Sequence, residues 1–177
     1  MAQFFSIHTQ TPHLRLIKQA VAIVRSGGII VYPTDSCYAL GCHLGDKDAM
    51  SRIRTIRQVD DHHHFTLVCR DLAEISTYAK VDNSQYRLLK ATTPGSYTFI
   101  LQATREVPRR MQHPKRNTIG LRIPDHPVVL ALLAELGEKG RKLRKVLAKL
   151  PELKCDASAR ASNGIDSSSS PSKSVSK

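Results

Sequence analysis

The stretch that decides the fold is residues 27–42, which read GGIIVYPTDSCYALGC. Residues 29–32 form a short and almost wholly apolar run, as is typical of a strand buried on both faces. A polar loop occupies residues 33–36, and residues 38–42 resume a strand-like pattern. The glycines before the first run predict the end of a helix, because glycine tolerates the left-handed conformation needed there.

The polar loop Pro33-Thr34-Asp35-Ser36 has two interpretations. Loops that follow buried strands are where open α/β sheets place their ligands. Threonine, aspartate and serine are equally the residues that form turns and helix caps. On the tetrapeptide alone, a capping turn is favoured over a ligand site.

Helical and strand-like segments alternate along the rest of the chain. Residues 12–25 place apolar side chains on one helix face, with Thr11 predicted as the N-cap and Pro12 as the first helical residue. Further helices are predicted over residues 46–57, 71–78, 83–90 and 127–136, and further strands over residues 65–69, 97–101 and 118–123. This alternation predicts an α/β fold with a twisted, mixed and partly parallel sheet.

Composition and charge narrow the class of protein. The chain has 177 residues, of which 41% are hydrophobic and 24% charged, as expected of one soluble domain with an appended tail. The sequence shows no apolar run long enough to span a membrane and no secretory signal, so we expect a cytoplasmic protein that binds no membrane. Four cysteines without CxxC spacing are expected to be reduced thiols.

The net charge of +12 is unevenly distributed. Residues 1–138 carry +5 and residues 139–177 carry +7. We predict a folded domain over residues 4–138, a basic amphipathic helix over residues 139–150, and a disordered serine-rich tail over residues 151–177. A positive field of this size favours polyanions such as nucleic acid or nucleotides.

Two clusters could carry chemistry. Arg54 and Arg57 lie three residues apart on a predicted helix and could clamp a triphosphate, although most such clusters are solvated faces. Residues 62–64 are three consecutive histidines, whose side chains diverge too much to share one metal ion, so a polar loop is favoured and no metal site is predicted. The sequence contains no Walker motif, GxGxxG or GxSxG.

Four ordered motifs resemble those of the YrdC-like domain family, most closely its YciO-type branch. Residues 32–41 (YPTDSCYALG) match the family's PT(D/E)(S/T)xYxLG signature, and Arg57 falls at the second basic position of its KxR motif. Residues 94–99 (PGSYTF) match its PGxxT(L/F) turn and strand. Residues 118–127 (TIGLRIPDHP) match its TxGxRxPxHP stretch.

The resemblance implies an α/β fold with a concave basic cavity, and synthesis of L-threonylcarbamoyl-AMP from L-threonine, bicarbonate and ATP for modification of adenosine 37 in tRNA. It also implies binding of RNA, either double-stranded RNA or tRNA. Mg²⁺ would accompany ATP as substrate, and no tightly bound cofactor is expected.

Carried over from the family, Thr34 and Arg122 would hold threonine, while Arg57 and Thr118 would face the nucleotide. Further candidate cavity residues, for which the resemblance assigns no single role, are Arg54, Tyr38, His64 and Thr98.

Three departures from the family pattern leave an alternative open. Thr55 stands at the leading basic position of KxR, with Arg54 one place earlier. The loop after Arg57 is longer than the family's PxxNPL pattern, so that His64 falls roughly at the asparagine. After residue 138 the chain never shows the family's Ser-x-Asn motif. The alternative is therefore a catalytically inactive, truncated binding module that holds structured RNA by charge.

Overall fold

A computed structural model describes residues 2–60, 63–138 and 147–149. Seven strands in these residues form one sheet in the order β1-β2-β7-β3-β6-β5-β4, in which β3 and β6 are parallel and the other neighbours antiparallel. The strands are β1 Ile30–Pro33, β2 Tyr38–His43, β3 Thr66–Val68, β4 Ala79–Lys80, β5 Phe99–Ala103, β6 Thr118–Arg122 and β7 Leu147–Lys149. The helices are α1 Leu14–Arg25, α2 Lys47–Arg57, α3 Leu72–Tyr78, α4 Asn83–Thr92 and α5 Pro127–Glu138, with a 3-10 turn at Arg109–Met111. The mixed α/β fold predicted from the sequence is confirmed.

Two apolar clusters lie on opposite faces of the sheet. Leu67 of β3 belongs to the cluster that includes residues of α2, α3 and α4. Its neighbour Val68 belongs to the cluster formed with α1 and α5. Because successive strand residues point to opposite faces, the centre of the sheet is covered on both sides. β5 differs, since Ile100 is 74% exposed.

The first strand is an edge strand, not a strand buried on both faces. β1 pairs with β2 alone among the described residues, and Val31 is 61% exposed. Ile30 and Tyr32 are buried. The apolar run of residues 29–32 therefore contributes only alternate side chains to the core. The prediction from its composition, a strand buried on both faces, is wrong.

The first helix begins later than the sequence predicted. α1 starts at Leu14 with His13 as the residue before it, whereas Thr11 does not cap the helix. The backbone N–H and the hydroxyl of Thr11 both contact His8 Nδ1, at 3.2 and 3.0 Å. Of the predicted apolar face, Ile17, Val21 and Val24 are buried, whereas Leu14 is 56% exposed.

The segment after α5 corrects a second prediction. Leu147–Lys149, which lies within the predicted helix of residues 139–150, is a β-strand that pairs with β2 on one side and β3 on the other. Ala148 lies opposite both Cys42 and Leu67. Residues 139–146 and the predicted disordered tail at residues 151–177 lie outside the described residues. None of the described helices is long and apolar enough to cross a membrane.

Candidate functional site

The turn between β1 and β2 is closed by the side chain of Thr34. Its hydroxyl donates to the carbonyl oxygen of Cys37 at 2.6 Å and accepts the backbone N–H groups of Ser36 and Cys37. The backbone N–H of Thr34 also donates to Cys37 O. The threonine predicted to hold the substrate is thus a turn-forming residue, and it holds the two residues after it in place.

Those two residues reach across the sheet to Arg122. Nη2 of Arg122 donates to Oδ1 of Asp35 and to Oγ of Ser36, the latter at 3.2 Å. The side chain of Arg122 is 4% exposed and that of Asp35 is 13% exposed. The second carboxylate oxygen of Asp35 accepts the backbone N–H of Asp125 at 3.3 Å. Two motifs that lie more than 80 residues apart in sequence therefore form one charged network.

Tyr32 places an unsatisfied phenol beside this network. The side chain is 2% exposed, and its hydroxyl has no hydrogen-bond partner among the described residues. Burial raises the pKa of Tyr32 well above its ordinary value, while the charge of Arg122 acts in the opposite direction. A buried hydroxyl without a partner costs free energy, so this point suits a polar ligand atom or a water molecule.

One row of β6 residues leads from Arg122 along an open part of the sheet. Alternation places Thr118, Gly120 and Arg122 on the same face of β6. Gly120 lies opposite Thr66 of β3 and Ile100 of β5. At a rise of about 3.3 Å per residue, the backbone distance from Arg122 to Thr118 is ~13 Å. This face therefore offers an extended surface with an arginine at one end.

Gly120 leaves the middle of this row without a side chain. A Cβ atom there would lie 3.0 Å from Thr66 Oγ1 and 3.4 Å from Thr98 Cγ2. Any side chain added at residue 120 would therefore press against Thr66 and Thr98 and would project above the row. The 3.4 Å distance shows that Thr98, one of the candidate cavity residues, lies beside the row.

The second basic motif lies at the end of α2. Asp46 begins this helix by accepting the N–H of Ala49 at 3.0 Å. Arg54 and Arg57 occupy its last turn, and the Arg54 guanidinium lies 5.0 Å from the ring centroid of Phe65, just before β3. Thr55, at the family's leading basic position, is exposed and donates its hydroxyl to Ser51 O at 3.2 Å.

His64 lies at the Thr118 end of the row. Its ring packs against that of His113, with 5.0 Å between centroids. The backbone N–H of His113 donates to Thr118 O at 2.8 Å. His113 carries no sequence motif, so nothing in the sequence pointed to this pair.

The structure thus brings together some of the predicted site residues. Thr34 and Arg122 meet through Asp35 and Ser36, and Arg122 shares its sheet face with Thr118. The two arginines of α2 belong to a different element, the last turn of that helix. Tyr38 begins β2 and is 59% exposed. The binding roles assigned to these residues, and the concave basic cavity, stay predictions.

The two buried cysteines do not supply a nucleophile. Burial raises the pKa of Cys42 to about 12, and Asp46 adds to the effect. Burial, with Glu74 and Asp71, also raises the pKa of Cys69 well above its ordinary value. Both thiols therefore stay protonated at neutral pH. Among the described residues, no group of three histidine, cysteine or acidic side chains is arranged to hold a metal ion.

Comparison with known proteins yields close relatives. YciO of Escherichia coli (strain K12), an uncharacterized protein, is 62% identical over 138 residues, which are 78% of this chain and 67% of that protein. The crystal structure of E. coli YciO superposes with a TM-score of 0.77 at 58% identity, covering 84% of this chain and 69% of that one. A threonylcarbamoyl-AMP synthase of Chromobacterium violaceum is 34% identical over 127 residues, 71% of this chain and 65% of that protein.

The family model Sua5/YciO/YrdC, described as telomere recombination, matches residues 22–146. This match contains the turn after β1, the end of α2 and the whole of β6. The chain therefore belongs to the Sua5/YciO/YrdC family.

Proposed function

We propose that this chain binds a nucleotide and an amino acid together along the β6 row, and joins them in the manner of a threonylcarbamoyl-AMP synthase. The observation that supports the proposal is the face of β6 that carries Thr118, Gly120 and Arg122 in line, with Arg122 buried at one end. A row of ~13 Å suits an amino acid linked to a nucleotide better than a free amino acid. The relative from C. violaceum bears the name of such an enzyme.

The charged end of the row suits the amino acid. Arg122 is held by Asp35 and Ser36, so its guanidinium is oriented before any ligand arrives. A guanidinium has five N–H donors and can bind a ligand carboxylate beside the Asp35 carboxylate. The unsatisfied Tyr32 hydroxyl lies in the same region and would complete the polar contacts.

The other end of the row suits the nucleotide. Thr118 lies there, with His64 and His113 beside it, and we assign the phosphates to this end with Arg57 and Arg54 of α2. In the reaction, the threonine amine first adds to bicarbonate with loss of water and forms a carbamate. A carbamate oxygen then attacks the α-phosphorus of ATP, and pyrophosphate leaves with the electrons of the broken bond. Mg²⁺ would be bound mainly by the ATP phosphates, which provide the oxygen ligands it prefers.

The product of this reaction would serve RNA modification. We propose that the protein acts in the cytoplasm and that its macromolecular partner is RNA, tRNA or double-stranded RNA, as the resemblance implies. The net charge of +12 is consistent with a polyanionic partner.

A second function, ligand binding without chemistry, is favoured by the C-terminal segment. Residues 139–177 contain no Ser-x-Asn motif. Under this alternative, the chain is a catalytically inactive binding module that holds structured RNA by charge and does not activate an amino acid.

The test measures pyrophosphate release from ATP, with threonine and bicarbonate each omitted in turn. Release that requires both supports the synthase. If calorimetry shows that ATP binds but no pyrophosphate is released, the synthase is refuted and the binding module is the function that remains.

The variant Gly120→Ala tests whether the row is the binding site. Its new Cβ would crowd Thr66 and Thr98, so we expect ATP or threonine to bind at least about 10-fold more weakly, with a folding cost of about 1–3 kcal/mol. Gly137→Ala is the matched control, because the nearest atom to its Cβ would be 3.8 Å away and alanine favours the helix it lies in. Equal ligand affinities in the two variants would place the site elsewhere.

A further inference from the structure

The charge of the described domain is concentrated in one loop. Residues 104–117, between β5 and β6, contain five arginine or lysine residues and one glutamate, a net charge of +4. Residues 1–138 as a whole carry +5. This segment, here called the basic loop, therefore holds most of the positive excess of the domain in a tenth of its length.

The backbone of the basic loop is firmly anchored. Val107 and Met111 are both buried, with 1% of each exposed. The hydroxyl of Thr104 donates to Thr77 O at 2.7 Å, and the side-chain amide of Gln112 donates to Val107 O at 2.7 Å. The cationic residues of the loop are exposed: Arg105, Arg109, Arg110, Lys115 and Arg116. A fixed backbone lowers the entropy lost when such side chains bind a partner.

The tip of the loop is organised around His113. Its Nδ1 accepts the backbone N–H groups of Lys115 and Arg116 at 3.3 and 3.2 Å. Asn117 adopts a positive φ of 51° and donates its N–H to His113 O at 2.8 Å. An accepting Nδ1 places the ring proton on Nε2. The backbone amides hold the turn, and the side chains of Lys115 and Arg116 remain available to solvent.

The basic loop adjoins the β6 row. His113 contacts His64 by its ring and Thr118 by its backbone. Arg110 donates to the carbonyl oxygen of Gly45, which joins the other side of the loop to the β2–α2 corner. The cationic surface thus begins at the end of the row to which the nucleotide is assigned, and extends outward from it.

We propose that the basic loop binds the phosphodiester backbone of an RNA strand and positions it at the Thr118 end of the row. The choice of RNA rests on the proposed function. The loop itself supports it, since arginine and lysine side chains on a fixed backbone match successive phosphates. A lipid surface fits less well, because membrane-binding segments also insert large apolar side chains, and the exposed large hydrophobic residues lie outside the basic loop.

The test compares two charge-matched double variants of the full chain. Lys115→Ala/Arg116→Ala removes two charges from the tip and leaves the backbone contacts to His113 in place. Lys90→Ala/Arg87→Ala removes two exposed charges from α4. The Kd for a labelled RNA hairpin is measured between 50 and 200 mM KCl, a range of roughly fourfold in salt over which counterion release is resolved. Any contribution of residues 139–177 is common to both variants.

We expect the tip variant to reduce the slope of log Kd against log salt by about 1.4–1.8, since each phosphate contact contributes about 0.7–0.9. The α4 variant should keep the wild-type slope. Equal slopes in the two variants would overturn the proposal, as would equally strong competition by polyglutamate or by phosphatidylserine vesicles. Arg109→Ala, with an expected loss of about 0.7–0.9 in slope, repeats the test if the double variant does not fold.

The two proposals fail separately. Pyrophosphate release by Lys115→Ala/Arg116→Ala should equal that of the wild type, because neither side chain lies on the β6 row. Suppose that the wild type binds RNA, that the tip variant reduces the salt slope as expected, and that no pyrophosphate is released. This result would refute the synthase and leave the RNA-binding role of the basic loop standing.

Discussion

Replacing Asp35 by alanine should destabilise the fold strongly. The substitution leaves Arg122, with 4% of its side chain exposed, without the carboxylate that neutralises it. Removing one partner of a buried ion pair costs about 3–5 kcal/mol. Because 13% of the Asp35 side chain is exposed, we expect the lower end of that range, about 3 kcal/mol. That is a large part of a total stability of about 5–15 kcal/mol.

Urea unfolding followed by circular dichroism measures this cost. With an m-value of about 2 kcal/mol per molar urea, the midpoint should fall by about 1.5 M. Asp125→Ala is the matched control, since it removes the same charge from an exposed residue whose backbone N–H, not its side chain, contacts Asp35. We expect the control to change stability by at most about 0.5 kcal/mol.

A double-mutant cycle identifies Arg122 as the cause. Arg122→Met removes the buried charge, so adding Asp35→Ala to it should cost far less than Asp35→Ala alone, with a coupling of about 2 kcal/mol. The reasoning is refuted if Asp35→Ala costs less than about 1 kcal/mol, or if the two changes are additive.

Two further predictions concern the sheet and its thiols. Ala148→Pro removes a backbone donor from β7, which has neighbours on both sides, and should cost at least about 2 kcal/mol in urea unfolding, whereas Ala148→Ser keeps the donor. Equal stability of the two variants would show that β7 does not pair. The raised pKa of Cys42, about 12 against an ordinary 9.0, gives stability that is fully present below pH 9 and is lost as the pH rises towards 12. Its contribution falls by about 1.4 kcal/mol per pH unit in this window, so Cys42→Ala should flatten the alkaline loss of stability, and parallel wild-type and variant curves would contradict the assignment.

Hydrophobic periodicity was sufficient for the main elements of the fold. The helices ending at Arg25 and Arg57 and the strand beginning at Thr118 lie where the patterns predicted them, because their apolar residues follow the helical or strand period. The edge position of β1 was missed, since an apolar run does not state how many neighbours a strand has. The sequence does not predict β7, because three residues in a basic segment are too few to show the alternation typical of a strand. Their conformation is determined by pairing with β2 and β3.

The candidate site was less visible in the sequence. The family resemblance indicates Thr34 and Arg122, whereas the residues that join them, Asp35 and Ser36, lie in a tetrapeptide whose composition favours a turn. The turn interpretation was correct for the Thr34 hydroxyl and incomplete for its neighbours. The pair of His64 and His113 depends on β3 and β6 being parallel neighbours, which brings the residues before both strands together. No local pattern encodes such a contact.

The position of β7 links the C-terminal segment to the site. The turn that contains Asp35 belongs to the β1–β2 hairpin, whereas Arg122 belongs to β6, and these two parts of the sheet are hydrogen-bonded to each other only through β7 among the described strands. A change that weakens β7 therefore loosens the hairpin relative to β6 and moves Asp35 away from Arg122. Residues 147–149 of the C-terminal segment are thereby linked to the site through their backbone pairing with β2 and β3. Loss of ligand affinity in Ala148→Pro, at a urea concentration where the protein is still folded, would be the signature of that coupling.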